Sequence, residues 1–385
     1  MIAFNKELTE NTFLLDESKK LRKASFISGE QLSFIKTELP ILKSQNNILI
    51  RIGFFILGCL LFSSISGVII LFTSSFLGSH YEVILFLYTF IGIIVSELLS
   101  KKKFHNYGLD DAFILGFQGC FCGAIGVAFD SPLAAFIAMS IMGIIACVRY
   151  INTISILYCL VGVTATICYT VIVLKVIEKL FLPFILLATA SGMYLVFTKL
   201  KKNAGIYFYF NAIQILQGFS LLLGYFSMNY LVVRQLSEKL MGFKITNEKD
   251  IPFAFLFYLF TFLMPILYTI FSLFTKNRIM LIIGFLTFAF SIYTIRHYCS
   301  IINIELALIY GGIALFVITY FVIHRIKNNE RGITFKPDRG TNIDVLTNVE
   351  AVITATQVDL KPIENESKMP FGGGKFSGGG SEGTF

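Results

Sequence analysis

Tryptophan is absent from the 385 residues, histidine occurs only four times, and charged side chains make up just 15% of the chain. Soluble domains carry about 25% charged residues, because a folded core needs a hydrated exterior. That scarcity excludes an ordinary single-core soluble protein. Without tryptophan, the seventeen tyrosines must supply the interfacial belts that usually use both residues. Catalytic templates are missing as well. Neither HExxH nor a P-loop occurs, and no dinucleotide fingerprint sits between a strand and a helix. The histidines (His80, His105, His297 and His324) fall in expected loops or at span ends and form no local cluster. None of the seven cysteines forms a CxxC pair, and no His or carboxylate stands at ligand spacing beside them. They read as buried apolar thiols, and no metal or cofactor is expected.

What the chain has instead is apolar surface: 55% hydrophobic residues, 41 of them Phe. A helix rises about 1.5 Å per residue and needs roughly 20 residues to cross the hydrocarbon. Uncharged runs of suitable length are Ile52–Thr73, Val83–Ser96, Ala112–Phe129, Pro132–Val148, Ile151–Leu174, Leu180–Thr198, Asn203–Val233, Ile251–Thr275, Ile279–Ile295 and Leu306–Ile323. The pattern predicts an all-α polytopic integral membrane protein with about ten transmembrane helices. Only Asp130 and Ser131 separate the third and fourth runs, and Pro132 suits a helix first turn, so a tight hairpin is expected there. A re-entrant pair buried in protein is the alternative. The seventh run is long enough for one tilted helix with an interfacial extension.

Charge then orients the runs. With ten spans and an inside N-terminus, twenty-five of the thirty-two Lys and Arg fall inside and seven outside. This bias predicts that both ends are cytoplasmic. The net charge of +8 does not imply nucleic acid, because the basic residues lie between apolar windows rather than on one folded patch.

Three regions follow: a helical head (1–50), a helical bundle (51–324) and a flexible tail (325–385). In the head, a short helix is expected over Thr12–Ala24. Ser28 with Gln31 forms a capping box that opens a second helix, with Leu32, Ile35 and Leu39 on one face. No signal-peptide pattern occurs in the charged head, so the first apolar helix is expected to direct insertion. In the tail, Val345–Val358 could form a short strand. The glycine-dense end, Phe371 to Phe385, reads as flexible.

Few residues within the bundle are candidates for function. Gly116, Gly119, Gly123 and Gly126 share one helical face, as a close-packing surface or a sliding interface. Asn211, Gln214 and Gln217 share a broad face in the seventh run. Amides in hydrocarbon must satisfy one another or line a wet path, so all three are expected to point into the bundle. Glu305 is the candidate intramembrane acid.

The order of parts is familiar. A short head bearing Phe26-Ile27-Ser28-Gly29-Glu30-Gln31, leading into Ile52-Gly53 and a glycine-bearing span, resembles a group of bacterial predicted membrane proteins classed as a domain of unknown function. The match covers the head and the first few spans. The tail is similar to glycine-rich ends on bacterial membrane proteins that carry a small extracytoplasmic phosphatase-like domain. That domain is missing here. The resemblances imply a bacterial inner-membrane location and carry over no activity and no catalytic residue. Three functions compete: first a scaffold or membrane-complex partner, with lipid around the bundle and a protein partner at the head or tail; then a transporter of a small or amphipathic solute; and last a membrane enzyme, for which no catalytic residue can be named.

Overall fold

Apolar stretches of membrane length can pair every backbone N–H and C=O internally by forming α-helices. The computed structural model describes residues 2–23, 26–45, 47–77, 80–203, 208–239, 251–275 and 277–298, with isolated positions between 309 and 327. Among the described residues there are twelve α-helices and no strand. They are α1 (Lys6–Lys23), α2 (Gly29–Glu38), α3 (Ile48–Leu77), α4 (Tyr81–Lys101), α5 (Leu109–Ala128), α6 (Pro132–Tyr150), α7 (Thr153–Ile172), α8 (Leu182–Lys201), α9 (Phe210–Met228), α10 (Tyr230–Lys239), α11 (Ala254–Thr275) and α12 (Arg278–Tyr298). Eight are long and apolar enough to cross a bilayer. The pair α9 and α10, bent by 69°, makes a ninth if it is one span. The chain is an all-α polytopic membrane protein.

The first nine of the ten expected runs coincide with these elements. The tenth, Leu306–Ile323, lies outside the described residues apart from isolated positions, as do Glu305, the Val345–Val358 segment and the glycine-dense end. The seventh run is not one continuous helix. It breaks at Asn229, whose backbone is extended (φ −74°, ψ 127°). The Asn229 side chain accepts from Val232 N–H at 3.2 Å and so caps α10.

Sequence-adjacent helices form the closest pairs: α4 with α5, α6 with α7, α8 with α9 and α11 with α12. Glycines set several of these approaches. A Cβ at Gly92 would fall 2.6 Å from Cβ of Phe117, one at Gly143 would fall 2.7 Å from the backbone nitrogen of Cys159, and one at Gly162 would fall 2.8 Å from that of Ser140. The α5–α6 turn is the expected tight hairpin. Ser131 caps α6, Pro132 occupies its first turn, and Asp130 takes a positive φ of 44°.

The head is part of the same structure. The capping box forms as expected, with Ser28 and Gln31 bonding each other's backbone N–H groups at 3.1 and 2.8 Å. Its first helix begins at Lys6 rather than Thr12: Asn5 Oδ1 accepts from the Glu7 N–H at its start, and Thr9 and Asn11 are buried in the added turns. Phe4 and Leu42 pack with Ile151 and Phe208, from the α6–α7 turn and the start of the α9 segment. Three backbone bonds stitch the head to the last turn of α6 and to the α4–α5 loop: Ala3 N–H to the Arg149 carbonyl (2.8 Å), Lys43 N–H to that of Lys103 (2.7 Å) and His105 N–H to that of Lys43 (3.0 Å). The last two make an isolated parallel bridge. Three connections that should share a face in an up-and-down bundle therefore all meet the head.

Candidate functional site

Polar side chains collect at two places. The first lies under the head. Arg51, early in α3, donates through Nε and an Nη to Oδ2 of Asp111 on α5, at 2.9 and 2.6 Å, and also reaches Asn106 Oδ1 at 3.2 Å. The Asp111 side chain is 2% exposed and that of Arg51 31%, so the pair runs from the loop edge into the bundle. The other Asp111 oxygen accepts from Asn152 Nδ2 at 2.7 Å. Asn152 is also the N-cap of α7, accepting from the N–H groups of Ile154 and Ser155. Ser155 Oγ donates to Asn152 Oδ1 and accepts from Gln118 Nε2 at 2.8 Å. One continuous chain of hydrogen bonds thus ties α3, α5 and α7. Gln118 Oε1 is buried and has no hydrogen-bond partner among the described residues.

Local backbone geometry holds this network in place. Asp110 accepts from the N–H groups of Tyr107 and Gly108, which fixes the turn into α5. Gly108 has φ +103° and lies against the Arg51 carbonyl, so a Cβ there would be both strained and overlapping. His105 is buried in the same loop, edge-on to Phe4 at 5.0 Å. Its Nε2 lies 2.9 Å from the Asn106 amide nitrogen, and a neutral ring accepts that bond. Burial holds the His105 imidazole down from its ordinary 6.5 to about 4, with Asp111 opposing and Arg51 reinforcing that shift. A separate pairing joins α4 to α6: Glu97 accepts from Arg149 Nε (2.5 Å) and the Tyr150 hydroxyl (2.8 Å).

The second network lies at the helix break. A 19-residue α9 is about 28 Å long and starts beside the head's Phe208 contact, so Asn229 stands roughly a membrane thickness away along it. Asn229 is fully buried and donates to the Tyr225 hydroxyl (2.8 Å) and Thr294 Oγ1 (3.1 Å). Tyr225 also shares a hydrogen bond with Ser291 Oγ (2.7 Å), and Ser291 Oγ donates to the Thr261 carbonyl (2.6 Å). Thr261 Oγ1 accepts the Tyr230 N–H that opens α10 (3.0 Å). Tyr230 stacks on Tyr258 with ring centroids 3.8 Å apart. Four helices, α9 to α12, meet at these groups.

The expected site residues fall differently. Asn211, at the first turn of α9, is exposed, and Gln214 is half-buried. Only Gln217 is deeply buried, and its Nε2 has no partner among the described residues. The three amides therefore do not converge on one inward face, because Asn211 sits at the helix end rather than at membrane depth. The glycine stripe is uneven too. A Cβ on Gly116 would meet the Phe62 ring and one on Gly126 would meet Ala135 Cβ, both at 3.1 Å; Gly123 would make ordinary contact with Leu85, and Gly119 faces open space. Spacing placed the four on one face without revealing what opposes each.

Arg51, Gln118, Asn152 and Asn229 carry the networks and were not singled out as sites. Their signal was present, since each is a polar residue in or beside an apolar run. Gln118 lies on the side of α5 away from the glycines, and that side is buried. Among the described residues, no group of three or more His, Cys, Asp or Glu side chains could hold a metal ion. A small space between α8, α10 and α11, lined by Pro183, Val233, Ser237 and Phe257, has a volume of about 10 Å³, room for one water. An open depression of about 760 Å³ runs along α2, lined by Ile27, Phe34 and Ile35 among others. No protein-family model, no curated protein and no solved structure matches this chain.

Proposed function

We propose that the protein is a multi-pass membrane scaffold, which holds the head at the cytoplasmic face of a bacterial inner membrane for a protein partner. The observation that carries this reading is the stitching of the head to the bundle. Phe4, Leu42, Ile151 and Phe208 form one buried cluster, and three backbone hydrogen bonds cross the junction. A head so fixed is a platform. Its α2 has no buried residue, and Phe34 is 66% exposed. Two hydrogen-bonded polar networks support the same reading, since amides and hydroxyls spent on one another hold helices together rather than meet a solute.

A photo-crosslinking amino acid at Phe34, in intact cells, tests the partner. A discrete protein adduct at Phe34, absent from the same probe at lipid-facing Leu195, is the expected result. Lipid adducts alone at Phe34 would overturn it.

Transport of a small or amphipathic solute is the second reading. It is favoured by the break at Asn229, since discontinuous helices often frame transporter sites, and by the unpartnered Gln217 Nε2. Gln217→Cys in a cysteine-free chain separates the two. Labelling by a membrane-impermeant thiol reagent, blocked by a solute, supports transport. An unlabelled, folded variant supports the scaffold.

A further inference from the structure

Where α4 ends, on the head's side of the bundle, the chain gathers lysines. Lys101 is the last helical residue, Lys102 is the C-cap and Lys103 follows with φ +68°. Lys103 N–H bonds to the Ser100 carbonyl and Phe104 N–H to that of Leu99, the paired bonds of a Schellman ending. The parallel bridge then brings in Lys43, about sixty residues earlier in the chain, between Lys103 and His105. Its Nζ lies 5.0 Å from the Phe104 ring centroid. All four lysines are exposed, and among the described residues none is in a salt bridge; Glu97, one turn before Lys101 and bonded to Arg149, attracts Lys101 at longer range.

Two further observations bear on what this cluster meets. Val83, Leu87, Phe90, Ile94 and Leu98 are all exposed. Their spacing of four, three, four and four puts them on one face of α4, and the next positions on that face are Lys101 and Lys102. An apolar stripe about 22 Å long, more than one leaflet deep, thus ends in two cations. The second observation is the left-handed conformation of Lys103. A Schellman ending normally puts glycine there, because glycine alone has no Cβ to strain. Topology explains why lysines lie on this side of the membrane. It does not explain a lysine at the one position of this turn where glycine fits best.

We propose that Lys43, Lys101, Lys102 and Lys103 form a binding site for the phosphate headgroup of an anionic phospholipid, whose acyl chains lie along the Val83–Leu98 face of α4. Clustered basic side chains at an interface attract anionic headgroups, and the stripe supplies the apolar contact that a soluble phosphate lacks. The site is independent of the scaffold reading and needs only that α4 spans the membrane.

The test is native mass spectrometry of the full-length chain in detergent, offered equal amounts of phosphatidylglycerol and phosphatidylcholine. Phosphatidylglycerol adducts should predominate. The triple variant K43Q/K101Q/K102Q should lower that preference about a hundredfold, while K199Q/K201Q/K202Q, on another stretch of the same side, should leave it unchanged. Lys103→Gly is the decisive variant: it should raise the thermal midpoint by relieving the left-handed residue, yet lower the lipid preference severalfold. The proposal is overturned if the wild-type chain shows no preference, or if both triple variants lose it equally, since charge in general would then explain it. It is also overturned if Lys103→Gly stabilises the chain and keeps full preference. Glycerophosphoglycerol, the headgroup without acyl chains, should compete poorly. Displacement at equal concentration would reassign the site to a soluble phosphate.

Discussion

The network around Asp111 contains an ion pair and ends in a loop that the head covers, whereas the network around Asn229 has a centre of amides, hydroxyls and backbone carbonyls, with the half-buried Arg234 joining at its edge through the Tyr230 hydroxyl. Location explains the difference. Arg51 is 31% exposed and keeps part of its hydration, so the cost of placing a charge there is reduced. Asn229, Tyr225 and Ser291 are wholly buried among four helices, where a charge would be far more expensive than a neutral hydrogen bond. The first network joins distant segments across a water-facing boundary. The second turns a single segment by 69° inside the protein. Charge serves where water is near, and neutral polarity serves where it is not.

The largest effect expected from this contrast is in the charged network. Asp111→Ala leaves Arg51 and Asn152 without their shared acceptor, a loss of about 3 kcal/mol by analogy with broken buried pairs. The folded fraction after heating in detergent, read by gel filtration, should fall steeply. An unchanged heating curve would show that the Arg51 guanidinium is adequately solvated alone, and the contrast would fail. Asn229→Ala removes two donated bonds and the cap of α10, for about 2 kcal/mol. Its mark should be local: amide exchange should rise in α10 and stay low under the head. Exchange rising equally in both places would mean that the two networks act as one.

The smallest effect separates the networks by pH. His105 binds its proton near pH 6.5 when unfolded and near pH 4 when buried. The unfolded form therefore holds more protons between those values. Stability from the neutral buried ring is complete above pH 6.5 and is lost as pH falls toward 4. At pH 5.5 the loss is about 1 kcal/mol. Proteolysis of the head should accelerate between pH 7 and 5.5, and His105→Gln should flatten that dependence. Acceleration of the same size in the variant would move the cause to another group.

Much of the fold was legible because hydrocarbon leaves little choice. Uncharged runs had to be helices, the Ser28–Gln31 pair had to open one, and Pro132 had to stand in a first turn. The sites were less legible. In a membrane both the lipid face and the protein face of a helix are apolar, so periodicity does not tell Gly116, packed on Phe62, from Gly119, which faces open space. Pairings such as Arg51 with Asp111, sixty positions apart, leave no local trace. The break at Asn229 was hidden because one asparagine among Met228, Tyr230 and Leu231 hardly disturbs an apolar run. The left-handed Lys103 was equally invisible, since only a glycine would have announced that turn.

The docking of the head also imposes an order in time. Phe4 and Leu42 complete their burial against Phe208, which is translated about 165 residues after Leu42. At 5 to 20 residues per second, that is an interval of roughly 10–30 s. During it α3 to α8 are made, and His105 and then Ile151 become available to Phe4 before Phe208 completes the cluster. A nascent chain must keep those apolar residues out of other associations for longer than most small domains take to fold, which makes the head the natural client of whatever attends the ribosome at the membrane.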